Sequence, residues 1–372
     1  MPLLRQPGAL APYQQIREIL RKEILDRMAV GDRIPPERDL AERFSANRAT
    51  VSRAIASLVS EGLLVRHVPR GTFVAGDWNL SPTRTRAVAM VVPEIEGPFP
   101  AGVVRSAARE FRKQGYNPFL FDSDNSVATE TGELERLMQE GLEGALVIPV
   151  APRDNLPVFE RLVRLGYPLV FLDHKPLDFD ADYVASDYFW GAYEATRILI
   201  ERGHSRIAHF TYVGPGLHTS VLDRRHGYEK ALADHGIDVD PDLVLAPIIH
   251  THVGNPYEYR HVLYYLRQQH DPVTAVFALN DLFAISTILA ARELGLRIPD
   301  EVELAAYFDG GVSAIADMPP IIMVVQKQNE IGRAAANLVI SRIERTGPDT
   351  PLTIKIEPDV VCGLPQPLRV SH

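Results

Sequence analysis

Short apolar runs alternate with amphipathic helical patterns from Ala87 to Arg345, and this alternation restricts the fold. Strands that alternate with helices form mostly parallel sheets covered on both faces. Because about 285 residues of this pattern exceed one usual sheet core, we expect two α/β lobes. The predicted strands are Ala87–Val92, Asn117–Phe121, Ala145–Val150, Pro168–Leu172, Ile207–Tyr212, Ala275–Leu279 and Val302–Phe308. The predicted helices are Ala101–Gly115, Glu130–Glu140, Leu156–Leu165, Phe189–Gly203, Arg224–His235, Tyr257–His270, Leu282–Leu294 and Glu330–Arg345.

Composition indicates an ordinary globular protein. The chain has 372 residues, 46% of them hydrophobic, which suffices for two or three domains and a sizeable core. The single cysteine, Cys362, allows no intrachain disulfide and fits a reducing compartment. The N-terminus is too short and too broken by proline for a signal peptide, and no apolar run reaches the ~18 residues of a membrane span. We therefore expect a cytoplasmic protein without membrane contact.

Charge is distributed unevenly along the chain. The formal net charge is −9, which alone argues against a nucleic-acid partner. Residues 1–76, however, hold twelve Lys and Arg against eight Asp and Glu, a balance of +4, and the remainder has a balance of −13. A basic head on an acidic body is typical of a DNA-binding module that carries a sensor, although chance clustering gives the same asymmetry.

The basic head begins with a helical pattern over Tyr13–Met28. Two shorter helical patterns and a hairpin come after it. Asn47 is placed to cap the last helix, whose buried face is predicted to hold Val51, Ile55, Leu58 and Val59. Gly62 is expected to end that helix. The hairpin strands are predicted at Leu63–Arg66 and Thr72–Ala75.

A helix start that is rich in arginine suits the DNA major groove. Arg48, Thr50 and Arg53 lie near the start of the last helix, and Arg70 and Gly71 lie in the hairpin turn. Arginine reaches phosphates or the edge of guanine, and helix N-termini favour phosphate. A small helical domain with solvated arginines is the alternative. The succession of helix, helix and hairpin within about forty residues favours DNA binding.

The head resembles the winged-helix domain of the gluconate-repressor (GntR) family. The resemblance rests on Pro35-Pro36-Glu37-Arg38-Asp39-Leu40-Ala41, Asn47-Arg48-Ala49-Thr50-Val51-Ser52-Arg53 and Arg70-Gly71-Thr72-Phe73-Val74. It implies DNA contacts from Arg38, Arg48, Thr50, Arg53, Arg70 and Gly71. The chain departs from the family pattern at Pro36 and Asn47, where serine is usual, and at Ser52-Arg53, which shifts the usual Val-Arg pair by one place.

The domain boundaries follow from a change of composition. Gly76–Arg86 is rich in Gly, Asp, Asn, Ser and Pro and has no periodicity. We therefore expect a winged-helix domain over residues 1–76, a linker over 77–86 and a two-lobed effector-binding and dimerisation domain over 87–372.

Polar side chains follow most of the predicted strands of the body. Ligands of open parallel sheets bind outside the carboxyl ends of the strands. Carboxylates and amides beside an aromatic ring suit a sugar or polyol. The alternative is that these residues only cap the helices that follow. The candidate residues are Phe99, Asp122, Asp173, Asn280, Asp281 and Asp309.

The body resembles the effector domain of the lactose-repressor (LacI) family, which is similar to periplasmic sugar-binding proteins. The resemblance rests on Gly203-His204-Ser205-Arg206-Ile207-Ala208, Arg224–Leu232, Ala275–Asp281 and Glu293–Pro299. It implies that Arg224, Asn280 and Asp309 bind sugar hydroxyls and that Phe99, Asp173 and Ser220 line the pocket. Gly310-Gly311 after Asp309 removes a carboxylate that this family often has.

The combination of head and body resembles arabinose-repressor-type regulators. It implies a homodimeric repressor that binds a palindromic operator on double-stranded DNA and responds to a small sugar or related metabolite. We expect no enzyme activity, no cofactor and no metal, and association with the bacterial nucleoid when the protein is bound to DNA. An enzyme, or a body that only dimerises without a ligand, fused to a DNA-binding head remains the alternative.

Overall fold

A small helical head and two α/β lobes make up the chain. The computed structural model describes residues 11–28, 31–61, 63–67, 70–75, 85–137, 140–212, 217–245, 262–264, 266–308 and 318–363. In this described part of the chain, no helix is both long and apolar enough to cross a membrane. The predicted class, a winged helix followed by two mostly parallel sheets, is confirmed.

The head is a three-helix winged fold. Its helices are α1 (Pro12–Arg27), α2 (Glu37–Phe44) and α3 (Arg48–Ser60), and its strands β1 (Leu64–His67) and β2 (Gly71–Val74) pair antiparallel. Asn47 caps α3 as predicted, since its Oδ1 accepts from the Thr50 N–H at 2.7 Å. Val51, Ile55 and Leu58 are buried as expected. Gly62, the expected helix end, lies outside the described residues.

Lobe 1 is a six-stranded parallel sheet between two pairs of helices. In spatial order its strands are β13 (Thr353–Ile356), β7 (Asp182–Ser186), β6 (Leu169–Leu172), β5 (Gly144–Val147), β3 (Ala87–Val92) and β4 (Asn117–Asp122). Its helices are α4 (Pro98–Lys113), α5 (Val127–Arg136), α6 (Leu156–Arg164) and α10 (Gln328–Glu344). The apolar cores on both faces explain why the inner strands β3, β5 and β6 read as continuous hydrophobic runs, whereas the edge strands β13 and β4 are largely exposed.

Lobe 2 repeats this plan with one antiparallel edge strand. In spatial order its strands are β14 (Asp359–Gly363), β12 (Ile321–Val325), β11 (Glu303–Tyr307), β10 (Ala275–Ala278), β8 (Ile207–Phe210) and β9 (Val244–Leu245). Its helices include α7 (Tyr188–Glu201), α8 (Thr219–Asp234) and α9 (Asp281–Glu293). Among the described strand pairs of lobe 2, β12–β14 alone is antiparallel. Of the helix predicted over Tyr257–His270, the described residues 262–264 and 266–267 are helical.

The chain crosses between the lobes three times, at residues 186–188, 325–328 and 356–359. Two of the crossings leave from the carboxyl ends of β7 and β12, so the carboxyl ends of both sheets lie toward the same gap. The crossings lie side by side, since the Asp187 N–H donates to the Ile356 carbonyl at 2.8 Å. We call the gap between the two sheet edges the cleft.

Close packing of α7 on α8 depends on Gly227. A Cβ added there would lie 2.3 Å from the Phe189 carbonyl oxygen and 2.9 Å from Ala192 Cβ. We expect Gly227→Ala to lower the free energy of unfolding by about 1–3 kcal/mol through overpacking, measured by chemical denaturation. Gly132→Ala on α5 is the control, because no described heavy atom lies within 4 Å of its added Cβ. Equal stability of both variants would contradict this account.

Candidate DNA-binding surface and effector cleft

An acidic side chain holds two arginines together at the start of α3. Arg48 is the first residue of α3, and its side chain is 77% exposed, with Nε 3.4 Å from Glu37 Oε2. Arg66 on β1 donates to Glu37 Oε1 at 2.7 Å. Arg38, next along α2, is 82% exposed and contacts only its neighbour Asp39 among the described ion pairs. A helix N-terminus surrounded by exposed guanidinium groups can bind phosphates and base edges.

Two further predicted DNA contacts on α3 have partners inside the head. The Thr50 hydroxyl donates to Asn47 Oδ1 at 2.7 Å, so it helps to form the helix cap. The Arg53 guanidinium lies 4.2 Å from the centre of the Tyr13 ring, and the residue is exposed. Arg53 is therefore accessible to DNA but is held against α1, whereas Arg48 points away from the apolar core.

The wing depends on a glycine at its turn. Gly71 has a φ of +124°, and a Cβ added there would lie 2.7 Å from Arg33 Nε. Only glycine adopts that conformation without strain. Arg70 beside it is exposed, so the tip of the wing presents a cation near the start of β2.

Arg224 lies in the cleft between two aromatic rings. It projects from α8 of lobe 2 and is 7% exposed. Its guanidinium lies 4.1 Å from the ring centre of Tyr188 and 4.3 Å from that of Tyr307. The Tyr307 hydroxyl donates to the Tyr188 carbonyl at 2.8 Å, which fixes the two rings relative to each other. A flat cation held in this way has its planar orientation set before any ligand binds.

Asp173 brings a carboxylate from lobe 1 to the same place. It follows β6 in a left-handed conformation with a φ of +62°. The Tyr188 hydroxyl donates to its Oδ1, and the Tyr183 hydroxyl donates to its backbone carbonyl at 2.7 Å. Burial opposes ionisation, but the hydrogen bond and charge of His174 and the charge of Arg224 lower the pKa of Asp173 well below its usual value. The cleft thus contains an ionised carboxylate beside the guanidinium.

His174 joins the Asp173 carboxylate to the backbone of the loop that follows β5. Its Nδ1 lies 2.6 Å from Asp173 Oδ2 and its Nε2 lies 2.7 Å from the Pro149 carbonyl oxygen. Both partners accept hydrogen bonds, so the imidazole connects them. The ring of His218 from lobe 2 lies 4.0 Å away, and burial together with the positive charge of His174 lowers the pKa of His218 to about 4. The two imidazole rings thus face each other, one from each lobe.

The predicted pocket residues of lobe 2 divide into three groups. Ser220 is buried in the first turn of α8, one turn before Arg224. Asn280 caps α9, since its Oδ1 accepts from the Phe283 N–H at 3.2 Å, and Asp281 is the half-buried first residue of that helix. The capping interpretation is thus correct for Asn280, which also forms a hydrogen bond with Tyr212. Asp309 lies outside the described residues.

The remaining predicted pocket residues lie on lobe 1. Phe99 is half-buried in the first turn of α4 and packs against the apolar core. Asp122 is exposed at the end of the edge strand β4, where its carboxylate accepts from the Ile95 N–H at 3.2 Å and the Asp124 N–H at 3.1 Å. Asp122 therefore holds the loops beside it, and its role in effector binding stays a prediction.

Sequence patterns did not indicate several residues of these two surfaces. Tyr188 and Tyr307 lie far apart in the sequence, and no motif singles them out; both are buried. His174 follows Asp173 directly after a strand, but nothing in its spacing indicated that its ring would contact both Asp173 and the Pro149 carbonyl. The sequence predicts Arg66 as part of a strand. That prediction does not indicate its ion pair with Glu37, which holds it beside Arg48.

A buried histidine next to the cleft should make lobe 2 sensitive to acid. His209 on β8 is fully buried between Tyr228 and Phe277, and burial lowers its pKa to about 4. Its unfolded pKa is about 6.5, so the unfolded chain binds the proton first as the pH falls. Neutral His209 stabilises the folded state fully above pH ~6.5, and this stabilisation is lost as the pH falls toward 4. The free energy of unfolding should therefore fall by about 3 kcal/mol over this range.

Chemical denaturation between pH 7 and pH 4 tests this expectation. His209→Asn should flatten the dependence of unfolding free energy on pH in this window. His226→Asn is the control, because His226 is exposed on α8. An unchanged slope in His209→Asn would show that another group causes the acid sensitivity.

Comparison with known proteins identifies the family. The model of the gntR family of bacterial regulatory proteins matches residues 12–74, and that of the periplasmic binding protein-like domain matches residues 196–363. The HTH-type transcriptional repressor PurR of Histophilus somni (strain 129Pt) is 30% identical over 287 residues, which are 76% of this chain and 82% of that protein. This chain belongs to the LacI-type family of transcriptional repressors.

Two further relatives cover most of this LacI-type repressor. The arabinose metabolism transcriptional repressor of Geobacillus stearothermophilus is 27% identical over 356 residues, 95% of this chain and 96% of that protein. The structure of the transcriptional regulator CelR–cellobiose complex covers 85% of this chain and 89% of that chain with a TM-score of 0.65 and 27% identity. Both resemblances drawn from the sequence are confirmed, and the chain is a ligand-responsive transcriptional repressor with a GntR-type head.

Proposed function

We propose that this repressor binds a palindromic operator as a homodimer and releases it when a small sugar-like metabolite occupies the cleft. The observation that carries the proposal is the meeting of Asp173 from lobe 1 with Arg224 and Tyr188 from lobe 2. A ligand bound there touches both lobes at once. Its binding therefore depends on their relative position, and by linkage it changes that position.

The chemistry of the cleft suits hydroxyl groups. Arg224 offers donors, Asp173 offers acceptors, and buried tyrosine rings provide an apolar surface beside them. Sugar rings need such paired donors and acceptors together with a flat apolar contact. An arabinose repressor and a cellobiose-bound regulator are among the relatives, which supports a sugar of one or two rings.

The head supplies the contact with DNA. Arg38, Arg48 and Arg70 are exposed, and Arg66 lies beside Arg48 through Glu37. We place Arg48 at a base edge or phosphate in the major groove and the wing along the neighbouring backbone. We propose that the protein regulates transcription and catalyses no reaction. We place it in the cytoplasm, bound to the nucleoid when the ligand is scarce.

An exposed apolar edge strand supports the homodimer. β4 is an edge strand of the lobe 1 sheet, and its residues Phe119 and Leu120 are 50% and 43% exposed. Long apolar edge strands are a hazard unless another surface covers them. We place the same strand of a second copy over them, which brings two heads together for the two half-sites of a palindrome.

One experiment separates this proposal from a ligand-independent dimerisation body. Thermal shift with L-arabinose, ribose, cellobiose and a wider sugar panel should show a melting temperature that rises with ligand concentration. An operator selected from a random duplex library should then bind more weakly when that ligand is present. Absence of any shift across the panel, with operator binding retained, would favour the ligand-independent alternative.

A further inference from the structure

The head contacts lobe 1 through the end of α6. Leu165, which follows α6 directly, is fully buried and belongs to the same apolar cluster as the head residues Ile24 and Leu25. Arg161 on α6 lies with Nη1 3.4 Å from the Asp26 carboxylate on α1. The contact thus joins the last turn of α1 to the last turn of α6, by one apolar and one charged pair.

This contact leaves the DNA-binding surface open. Arg48 and Arg53 on α3 are exposed while Asp26 contacts lobe 1, so docking does not cover the recognition helix. The ion pair within this contact is loose. Arg161 lies 3.4 Å from each of its two carboxylate partners, Asp26 and Glu135, and its buried Nε has no hydrogen-bond partner among the described residues. A loose ion pair of this kind is easily shifted by a small movement of α6.

The other end of α6 reaches the cleft. Asn155 precedes the first residue of α6 and donates to the buried carboxylate of Glu130, which accepts from the Val150 N–H at 2.8 Å. The neighbouring Pro149 carbonyl accepts from His174 Nε2 at 2.7 Å. The loop of residues 149–155 is therefore attached to His174, the neighbour of Asp173. A helix of about 14 Å then separates this loop from the head contact.

We propose that α6 transmits the state of the cleft to the head. This inference rests on the proposed function, because it names the route by which a ligand in the cleft alters the position of the DNA-binding surface. Movement of Asp173 and His174 shifts the 149–155 loop, the loop shifts α6, and α6 shifts Leu165 and Arg161 against α1. In the ligand-free state the docked head is positioned for its half-site, and displacement of α6 releases it.

Hydrogen exchange of the full-length protein, read by mass spectrometry, tests the docking without ligand or DNA. Arg161→Glu places a second carboxylate against Asp26, so the last turn of α1 should exchange at least ~5-fold faster. Adding Asp26→Arg to that variant should restore the original rate, because the pair is then reversed. Arg164→Glu makes the same change of charge at an exposed position of α6 and should leave α1 unaffected. Unchanged exchange of α1 in Arg161→Glu would overturn the docking.

A second variant tests transmission along α6. His174→Gln removes the imidazole that joins Asp173 to the Pro149 carbonyl, and it should accelerate exchange both in residues 149–155 and in the last turn of α1. In the double variant His174→Gln with Arg161→Glu, α1 should exchange no faster than in Arg161→Glu alone, since both changes release the same contact. The route through His174 would be overturned if His174→Gln left α1 unchanged. Failure of the proposed function gives a different result from failure of the α6 route. In that case the wild type would bind no duplex or no sugar, whatever the exchange data show.

Discussion

Arg48→Ala is expected to reduce operator affinity by at least ~30-fold, because a bidentate contact to a base is worth about 1–3 kcal/mol and a dimer loses two of them. The side chain is 77% exposed, so its removal should leave the melting temperature of the protein unchanged. Affinity is measured by fluorescence anisotropy of the selected operator at fixed salt concentration. Sugar binding by the body should be the same as in the wild type.

Arg136→Ala is the control for this prediction. Arg136 is an exposed arginine on α5 of lobe 1 and pairs with Glu140 within its own lobe, so its loss changes the net charge equally without touching the head. It should bind the operator as the wild type does. If Arg48→Ala and Arg136→Ala weaken binding equally, the head acts only through its net charge, and the assignment of Arg48 to the major groove is wrong.

Arg224→Met is expected to weaken sugar binding by about 100-fold, since the loss of a buried charged donor costs up to about 3 kcal/mol. Methionine keeps apolar contact with the rings of Tyr188 and Tyr307, so the change isolates the loss of charge from the loss of packing. Operator binding without sugar should persist, and the release of operator by sugar should disappear at concentrations that release the wild type. Calorimetric titration with the sugar identified by thermal shift measures the first effect, and anisotropy measures the second.

Arg225→Met is the matched control, one residue further along α8. Its guanidinium pairs with Glu229 four residues away on the same helix. We expect an affinity for sugar close to that of the wild type. A retained sugar response in Arg224→Met would mean that the effector binds elsewhere and that the cleft residues have a structural role.

Local signals predicted the head and most of the body. The Asn47 cap, the buried face of α3 and the wing depend on residues close in sequence, so their pattern suffices. The helix predicted from Arg224 begins five residues earlier, at Thr219, which places Ser220 and Arg224 on one helix. End positions of this kind depend on capping by the surrounding fold and are therefore harder to predict.

Two late strands were not predicted, and neither were Asp182–Ser186 and Ile321–Val325, the strands with which they pair. Thr353–Ile356 joins the edge of lobe 1 by pairing with Asp182–Ser186, and Asp359–Gly363 joins lobe 2 by pairing with Ile321–Val325. The two late strands are largely exposed, so they lack the continuous apolar run of a buried strand. Their positions follow from the crossings between the lobes, which local periodicity does not encode.

The candidate site divides in the same way. Family resemblance indicated Arg224 and Asp173, but the rings that hold Arg224 and the ring of His218 against His174 come together only through the packing of both lobes. The spacing of these residues along the chain does not predict such contacts. Asn280 is the opposite case. The sequence offered helix capping as the alternative to a pocket role, and its side chain does cap the following helix.

Operator affinity measured with and without the cleft ligand tests the central claim most directly. Anisotropy titration of the selected operator, at constant salt, is repeated with saturating amounts of the sugar that raises the melting temperature. The account predicts an operator dissociation constant at least ~5-fold higher in the presence of that sugar, and no such change in Arg224→Met. Equal operator affinity of the wild type with and without saturating sugar would contradict it.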